Sequence, residues 1–532
     1  MGVLDRFGRF VDCVARWVVL HSSRILWAVV AVGALLRLAR YLDNRSLWLD
    51  EAFLAINLKE KSFSELLGQL EFLQSAPAGF LLAEKAAVTL FGDSEYALRL
   101  LPLAASLVAL ALFAYVARRL LSPPVALLAV ALFAVNPRLL YFSSEVKPYG
   151  TDVAVALLLL ALAVRAHETD GRSYRRLVPL ALVAPAAVWF SFPAILVLGA
   201  IAVSLAIEPL RSRERRQVGL VAALAATWLA SFGALYAVAS TNVSRTAGAL
   251  LENGGSQGAN RAADVVQEAW SIFVDPGGFE DGTNGLAALV LIVALLALVQ
   301  QRQLERLALL GLPLGIAALA ALLDRYPLGG RFSLFLVPVI VLLVGRGVAA
   351  VVATSRRPLL VGALLALFLT GPVVGRATAD LISPPRSEHI RPLLAHVSRN
   401  WQRGDTLYVY RNTQYAARYY GLCDDCDPSG RSFPWSTRAP PPSLTAEQFA
   451  PALEPVPPEL VVGEHGLTPS ETLNDVDGLP AGRVWLLFSH VSEHRGLDEE
   501  SLILVGLEER GTQLESRVEL GAALYLYELS EG

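Results

Sequence analysis

The sequence predicts a polytopic α-helical membrane protein that carries a soluble α/β domain at its carboxy-terminal end. Three observations lead there. Of 532 residues 54% are hydrophobic and only 17% charged, and the mean hydropathy is +0.48, values of membrane rather than soluble chains. Apolar runs of spanning length recur as far as about residue 376. Beyond Thr378 the composition changes to alternating strand and helix patterns. The net charge of −3 argues against nucleic acid as a partner.

Eleven spans are expected, near residues 25–41, 96–116, 120–136, 149–164, 177–190, 194–207, 218–239, 286–300, 307–323, 332–345 and 359–376. The fifth and sixth are short and separated only by Ser191-Phe192-Pro193, so either also suits a re-entrant or tilted helix. Met1 to Ser23 is amphipathic and arginine-bearing with no small-residue cleavage site ahead of the first span, so no cleavable signal is expected. Arginines gather in alternate loops: Arg6 to Arg24, Arg118 and Arg119, Arg165 to Arg176, Arg211 to Arg216, Arg302 and Arg306, and Arg346 to Arg357. Excess positive charge marks cytoplasmic loops, so the amino terminus is expected inside and residues 380–532 outside, an odd number of spans later. The apolar stretch Pro77–Phe91 carries Glu84-Lys85 at its middle and reads as an interfacial helix, as does Glu51–Leu70. The division expected is 1–379, a transmembrane module, and 380–532, an extracytoplasmic α/β domain.

That outer domain should hold a helix at Glu388–Asn400, a strand at Thr406–Tyr410, a helix at Gln414–Tyr420, a strand at Arg483–Phe488, a helix near Glu499–Leu507 and a closing strand at Ala522–Glu528. Ala439–Pro442 and Pro451–Pro458 interrupt it with proline. Cys423 and Cys426 bracket two aspartates outside the membrane, where an oxidising compartment favours a local disulfide.

Chemistry points to the outer loops. Trp48-Leu49-Asp50-Glu51 follows the first span, and Ser143-Ser144-Glu145-Val146-Lys147-Pro148-Tyr149 follows the third. Carboxylates at the membrane boundary cost free energy unless solvated, paired or bound, which makes them functional candidates, although Asp50 and Glu51 also suit the start of an interfacial helix. Lysine occurs only at 59, 61, 85 and 147, all in the first two outer loops of a chain that otherwise uses arginine. Asp152, at the start of the fourth span, suits either a helix cap or a group facing a cavity. Asn242-Val243-Ser244 has the form of a glycosylation sequon, a pattern short enough to arise by chance.

The acidic pair, the segment at Ala76-Pro77, then Ala97-Leu98-Arg99-Leu100-Leu101-Pro102 and Tyr141–Tyr149 follow in this order on one side of the membrane. Together they resemble the bacterial GT-C glycosyltransferases related to protein O-mannosyltransferases and lipid A aminoarabinose transferases (glycosyltransferase family 39-like). The resemblance is strongest from Ser46 to Asp152. It implies transfer of a hexose or pentose from a polyprenyl-phosphate-linked sugar to a protein, glycan or lipid acceptor on the outer face of a bacterial inner membrane, generally with inversion. It places Asp50 at the family's catalytic acid, Glu51 beside it and Glu145 at the acidic position of the second loop. Arg325-Tyr326 and Gly329-Gly330-Arg331 resemble a later loop where arginine meets lipid phosphate. Relatives often carry histidine before the prolines where this chain has Ser75-Ala76-Pro77.

Read from the residues themselves, such a transfer needs a base for the acceptor hydroxyl and cations for the departing phosphate. Asp50 is the expected base, with Glu51 or Glu145 orienting the acceptor. Lys85, Lys147, Arg325 and Arg331 are the expected phosphate partners. No histidine lies in the outer loops of the membrane module, which disfavours zinc. An oxygen-liganded Mg²⁺ or Mn²⁺ on Asp50, Glu51 and Glu145 stays open, with no obligatory metal as the favoured reading. A polysaccharide polymerase or ligase, or a lipid-linked glycan transporter, are the rival classes. The first usually concentrates function in one late loop, and the second would show repeated halves with broken helices.

Overall fold

The computed structural model describes residues 3–168, 174–254, 261–279, 282–421, 432–434, 459–463, 473, 477–494 and 497–531. Cys423, Cys426 and the proline-rich stretches lie outside the described residues.

Along the chain the helices are α1 Val3–Leu42, α2 Leu49–Glu60, α3 Ala78–Phe91, α4 Glu95–Leu98, α5 Leu100–Leu120, α6 Pro123–Ala134, α7 Pro137–Tyr141 and α8 Tyr149–Glu168. They continue with α9 Val178–Val188, α10 Ala194–Arg211, α11 Arg215–Gly254, α12 Arg261–Val274, α13 Thr283–Gln300, α14 Leu304–Leu322, α15 Val337–Thr354 and α16 Pro358–Ile382. Then come α17 Arg391–Asn400, β1 Thr406–Val409, α18 Gln414–Tyr419, β2 Ser432–Pro434, β3 Glu459–Val462, β4 Gly482–Ser489, β5 Glu493–His494, β6 Leu497–Asp498, α19 Glu499–Glu508, β7 Gly511–Glu519 and β8 Ala522–Leu529.

Among the described residues nine helices are long and apolar enough to cross a membrane, or ten if α6 and α7 with its following turn, bent by 52°, form one broken span. The expected eleven therefore reduces by the fifth, and the reason is length. At about 1.5 Å per residue the 11 residues of α9 reach only about half of a 30 Å hydrocarbon core. Yet α9 advances along the bundle. Before it, Arg176 donates to the carbonyl of Ala166, at the end of α8, and lies 3.5 Å from Gln217, at the start of α11. After it, the Trp189 carbonyl accepts from Gly79 N at 2.8 Å, at the start of α3. A Cβ at residue 79 would stand 2.7 Å from that carbonyl, so only glycine admits the approach.

The chain forms two compact units that do not follow its order. The first comprises Met1–Asp43, Phe63–Ala83 and Arg99–Pro384; the second combines Asn44–Ser62, Glu84–Leu98 and Pro385–Gly532. The sequence suggested one cut at 379/380.

In the first unit the polar contacts fall into two sets, one for each group of loop ends. Arg119 meets Glu168, the His167 ring lies 2.9 Å from Ser204, Ser204 donates to the Glu305 carbonyl at 2.8 Å, and Arg346 donates to Gln301 at 2.6 Å. These link α5, α8, α10, α14, α15 and the turn after α13, near the loops that the arginine pattern assigns to the cytoplasm. At the opposite helix ends Asn136 donates to the carbonyls of Pro276 and Gly277 at 3.1 and 2.8 Å, Arg138 pairs with Asp275 at 2.6 Å, and Asn242 is hydrogen-bonded to both Gly68 and Leu70. Asn242 is buried with both ends of its amide engaged in this pinning. Between the two sets Arg37 of α1 is buried and donates to Ser106, Gly33 and Ala134 at 2.8–2.9 Å, tying α1, α5 and α6 together in a medium without water.

In the second unit a six-stranded sheet of order β2-β3-β1-β4-β8-β7 pairs β1 in parallel with β3 and β4, while β8 runs antiparallel to β4 and β7 antiparallel to β8. Tyr408, Tyr410, Leu486, Phe488, Ile503 and Tyr527 pack its core. The expected helices and strands are all present to within a few residues; β2, β3, β5, β6 and β7 are additions.

Candidate active site

Candidate residues occur in both units. In the second unit Asp50 and Glu51 occupy the first turn of α2, where the helix dipole favours negative charge. Their surroundings differ. Glu51 is fully buried, with Arg45 at 3.8 Å, whereas Asp50 is partly exposed.

Long-range contacts fix the segment that carries the pair. Leu49 N donates to Glu388 Oε2 at 3.1 Å, and Leu47 N donates to the Tyr420 hydroxyl at 3.0 Å. The Tyr420 hydroxyl in turn donates to buried Glu95 at 2.9 Å, and Arg391 lies 3.3 Å from the same carboxylate. Burial beside Glu95 pushes the Tyr420 hydroxyl well above its usual range. At the other end of α2, Lys59 pairs with Asp93 at 3.2 Å, Arg418 with Glu60 at 2.5 Å, and Lys85 donates to the carbonyls of Leu58 and Lys59. The Lys85 ammonium thus caps the last turn of α2. Its neighbour Glu84 is buried, which pushes its carboxyl well above the usual range.

Glu388 makes a second hydrogen bond: its Oε1 accepts from His490 Nδ1 at 2.9 Å. His490 follows β4 directly and has a left-handed backbone, φ 50°, uncommon for a non-glycine residue.

In the first unit Glu145 is fully buried and Lys147 nearly so. The Lys147 ammonium donates to Gln74 Oε1 at 2.5 Å, and Gln74 donates to the Phe72 carbonyl at 3.1 Å. Phe72 and Leu73 both have positive φ, 57° and 53°, a strained turn that delivers Gln74 to the lysine. Arg331 opens the span after α14. Its guanidinium lies 5.6 Å from the centre of the Tyr149 ring and 5.5 Å from that of Phe332, and those two rings meet edge to face at 5.8 Å. The Tyr326 hydroxyl donates to the Phe332 carbonyl at 2.8 Å and steadies the cradle. Gly330 takes a left-handed φ of 55°, and a side chain at 329 or 330 would meet nothing within 4 Å, so the backbone here is open to approach. Arg325 is exposed in the preceding turn. Asp152 is buried in the first turn of α8, one turn below Tyr149.

Arg331 and Lys147 thus belong to the first unit, Asp50, Glu51 and Lys85 to the second. Sequence reasoning missed Gln74, Glu388 and His490. Each is engaged by a partner 73 or more residues away, so no local pattern marks it. Among the described residues no three His, Cys, Asp or Glu side chains come together as a group able to hold a metal ion.

Residues 75–247 match the family of dolichyl-phosphate-mannose-protein mannosyltransferases. Among solved structures, the ArnT protein of Cupriavidus metallidurans in its apo state is 14% identical with a TM-score of 0.52, covering 97% of this chain and 98% of that one. The same protein bound to undecaprenyl phosphate gives 14%, 0.52, 96% and 98%. The oligosaccharyltransferase of Archaeoglobus fulgidus is 13% identical with a TM-score of 0.48, over 74% of this chain and 61% of that one. No curated protein sequence matches this chain. The fold is that of the GT-C membrane proteins, with the small sheet domain at its carboxy-terminal end. The family resemblance is borne out by the matched segment, which takes in the motifs from residue 75 to Asp152, and by the fold.

Proposed function

We propose that this chain is a glycosyltransferase of the bacterial inner membrane that moves a hexose or pentose from a polyprenyl-phosphate donor to an acceptor hydroxyl on the extracytoplasmic side, with inversion at the anomeric carbon. The observation that supports the reading is the difference in burial within the acidic pair. Glu51 is buried beside Arg45, and Asp50, on the same helix turn, is the partly exposed acid. The matched family segment and the fold shared with a protein crystallised with undecaprenyl phosphate support a lipid-phosphate donor.

In this mechanism Asp50 accepts the proton of the acceptor hydroxyl as its oxygen attacks the anomeric carbon, a contribution of roughly 10²–10⁴ in rate. The bond from that carbon to the phosphate oxygen breaks, and the lipid phosphate leaves with the electron pair. Its growing charge is met by basic groups, for which Lys85, Lys147, Arg325 and Arg331 are the candidates. Arg331 is the one whose guanidinium an aromatic pair already orients. Glu145 orients the acceptor or the Lys147 turn.

Two measurements test the proposal. Mass spectrometry of the cell envelope with and without the gene should show one sugar lost. Asp50→Asn should abolish its transfer while the protein still inserts and still binds donor lipid, because the substitution keeps size and polarity but removes the basic carboxylate. Near-normal turnover of that variant would move the base to Glu51 or Glu145. A protein that consumes no polyprenyl-phosphate sugar would be a polymerase acting on diphosphate-linked repeats or a transporter.

A further inference from the structure

The second unit contains a pair of titratable groups that the proposed chemistry leaves unused. Strand β1 leads away to β3 on one flank and β4 leads away to β8 on the other, so the chain parts at the carboxyl ends of these two adjacent parallel strands. In open sheets of this kind that is where ligands and working side chains gather. Asn412, just past β1, donates to the carbonyl of His490, just past β4, at 2.8 Å. His490 stands there on a left-handed backbone with its side chain 46% exposed, and its Nδ1 hydrogen-bonds Glu388, which is 6% exposed. The other oxygen of Glu388 accepts from Leu49 N, the residue before Asp50.

We infer that Glu388 and His490, supplied by the carboxy-terminal segment, are the positioning and proton-accepting partners of Asp50. The inference rests on the reading of Asp50 as the base. Glu388 does two things at once: it caps the helix turn that presents Asp50, and it fixes the imidazole. A carboxylate can only accept, so the proton on the ring sits on Nδ1 and the lone pair on Nε2. When the acceptor hydroxyl gives its proton to Asp50, the new bond to the anomeric carbon forms and the bond to the phosphate oxygen breaks with its electron pair. Asp50 then passes the proton to Nε2 of His490. The imidazolium keeps its Nδ1 proton on Glu388 and releases the other to water from its exposed edge, and Asp50 is again a base. The charged groups acting on the ring are Glu388, from the segment ahead of α17, and Asp50, from α2; Asn412 touches the residue with a neutral amide. The hydrogen bond to Glu388, ahead of the two acidic charges, raises the imidazole above its usual range.

The test uses the detergent-solubilised full chain. Without any substrate, imidazole NMR should find His490 titrating above a free histidine, and both Glu388→Gln and Asp50→Asn should move it to lower pH. With the donor on which wild type turns over and Asp50→Asn does not, kcat should rise with pH through the His490 ionisation. His490→Asn, which tolerates the left-handed backbone, should lose that limb and about 10²-fold in kcat with donor KM unchanged. Glu388→Gln, which keeps the histidine, should move the limb to lower pH. An unchanged pH profile in His490→Asn, beside an inactive Asp50→Asn, refutes this inference alone. Full turnover of Asp50→Asn refutes the assignment of the base on which it rests.

Discussion

Arg331 shows what one residue does here. Its guanidinium is held over Tyr149 and Phe332, and a planar fork can grip a phosphate in two places where an ammonium cannot. Arg331→Lys should weaken binding of a polyprenyl-phosphate sugar about tenfold, measured with labelled donor, while expression and thermal stability stay near wild type. Unchanged affinity would leave Arg331 as an anchor to lipid headgroups. His490 makes a second residue-level prediction, on stability. Its ionisation is raised in the folded protein, so the charged pair with Glu388 stabilises the fold fully below the unfolded histidine's pKa, about 6.5. That contribution fades as pH rises through the higher folded value. Thermal unfolding of wild type minus His490→Asn should therefore show a difference at pH 5.5 that shrinks by pH 8.5. Asp50 and Glu51 were legible as candidates because acids at a membrane boundary are costly. Which one is buried was not legible, because Arg45 decides it through a fold-dependent approach.

Helices report the packing chemistry. Arg37 lies inside an apolar run, and its three hydrogen-bond acceptors sit on α1, α5 and α6. Arg37→Ala should leave buried acceptors unsatisfied, at about 1–3 kcal/mol for each group, and should lower the thermal midpoint of detergent-purified protein by several degrees. At the contact of α13 and α15, a Cβ at Gly347 would run into the Val290 carbonyl, the close backbone approach that small residues permit in membranes. Gly347→Leu should then destabilise the bundle, whereas the same change at Gly371, where a Cβ meets nothing within 4 Å, should be near neutral; a thermal shift assay separates them. The long spans were legible from apolar length alone. Strand β7 was not, because an edge strand exposed on both faces, as most of Gly511–Glu519 is, has no inward face to alternate with an outward one. The shortness of α9 was half visible in the proline and serine that follow it, and its route along the bundle only in its contacts with α8, α11 and Gly79.

The molecule as a whole is interleaved: Asn44–Ser62 and Glu84–Leu98 are built together with the carboxy-terminal residues. A chain ended at Pro384 should keep its membrane helices, yet residues 44–62 would lose Glu388, Arg391 and Tyr420. Limited proteolysis in inside-in spheroplasts should then cut in that segment at least tenfold faster than in the full chain, and equal rates would show that it folds without them. Orientation is tested separately. An impermeant thiol reagent, after reduction, should reach Cys423 and Cys426 but not Cys13, and labelling of Cys13 would invert the assignment.

By itself the sequence determined that the chain crosses a membrane many times, where each long span lies and that a small α/β domain follows. These depend on composition and on period, which are local properties: apolar length is set by the bilayer, and strand or helix period by the backbone. It also singled out the outer-loop acids and cations, because charge at that boundary needs a reason. The tertiary structure alone decided which acid of the pair is fully buried, which lysine caps a helix, and that Glu388 and His490 stand beside the turn carrying Asp50. Burial and hydrogen bonding depend on what comes within about 3 Å, and for Leu49 and Glu388 the partners are 339 residues apart in the chain, a separation over which no local pattern in the sequence carries information.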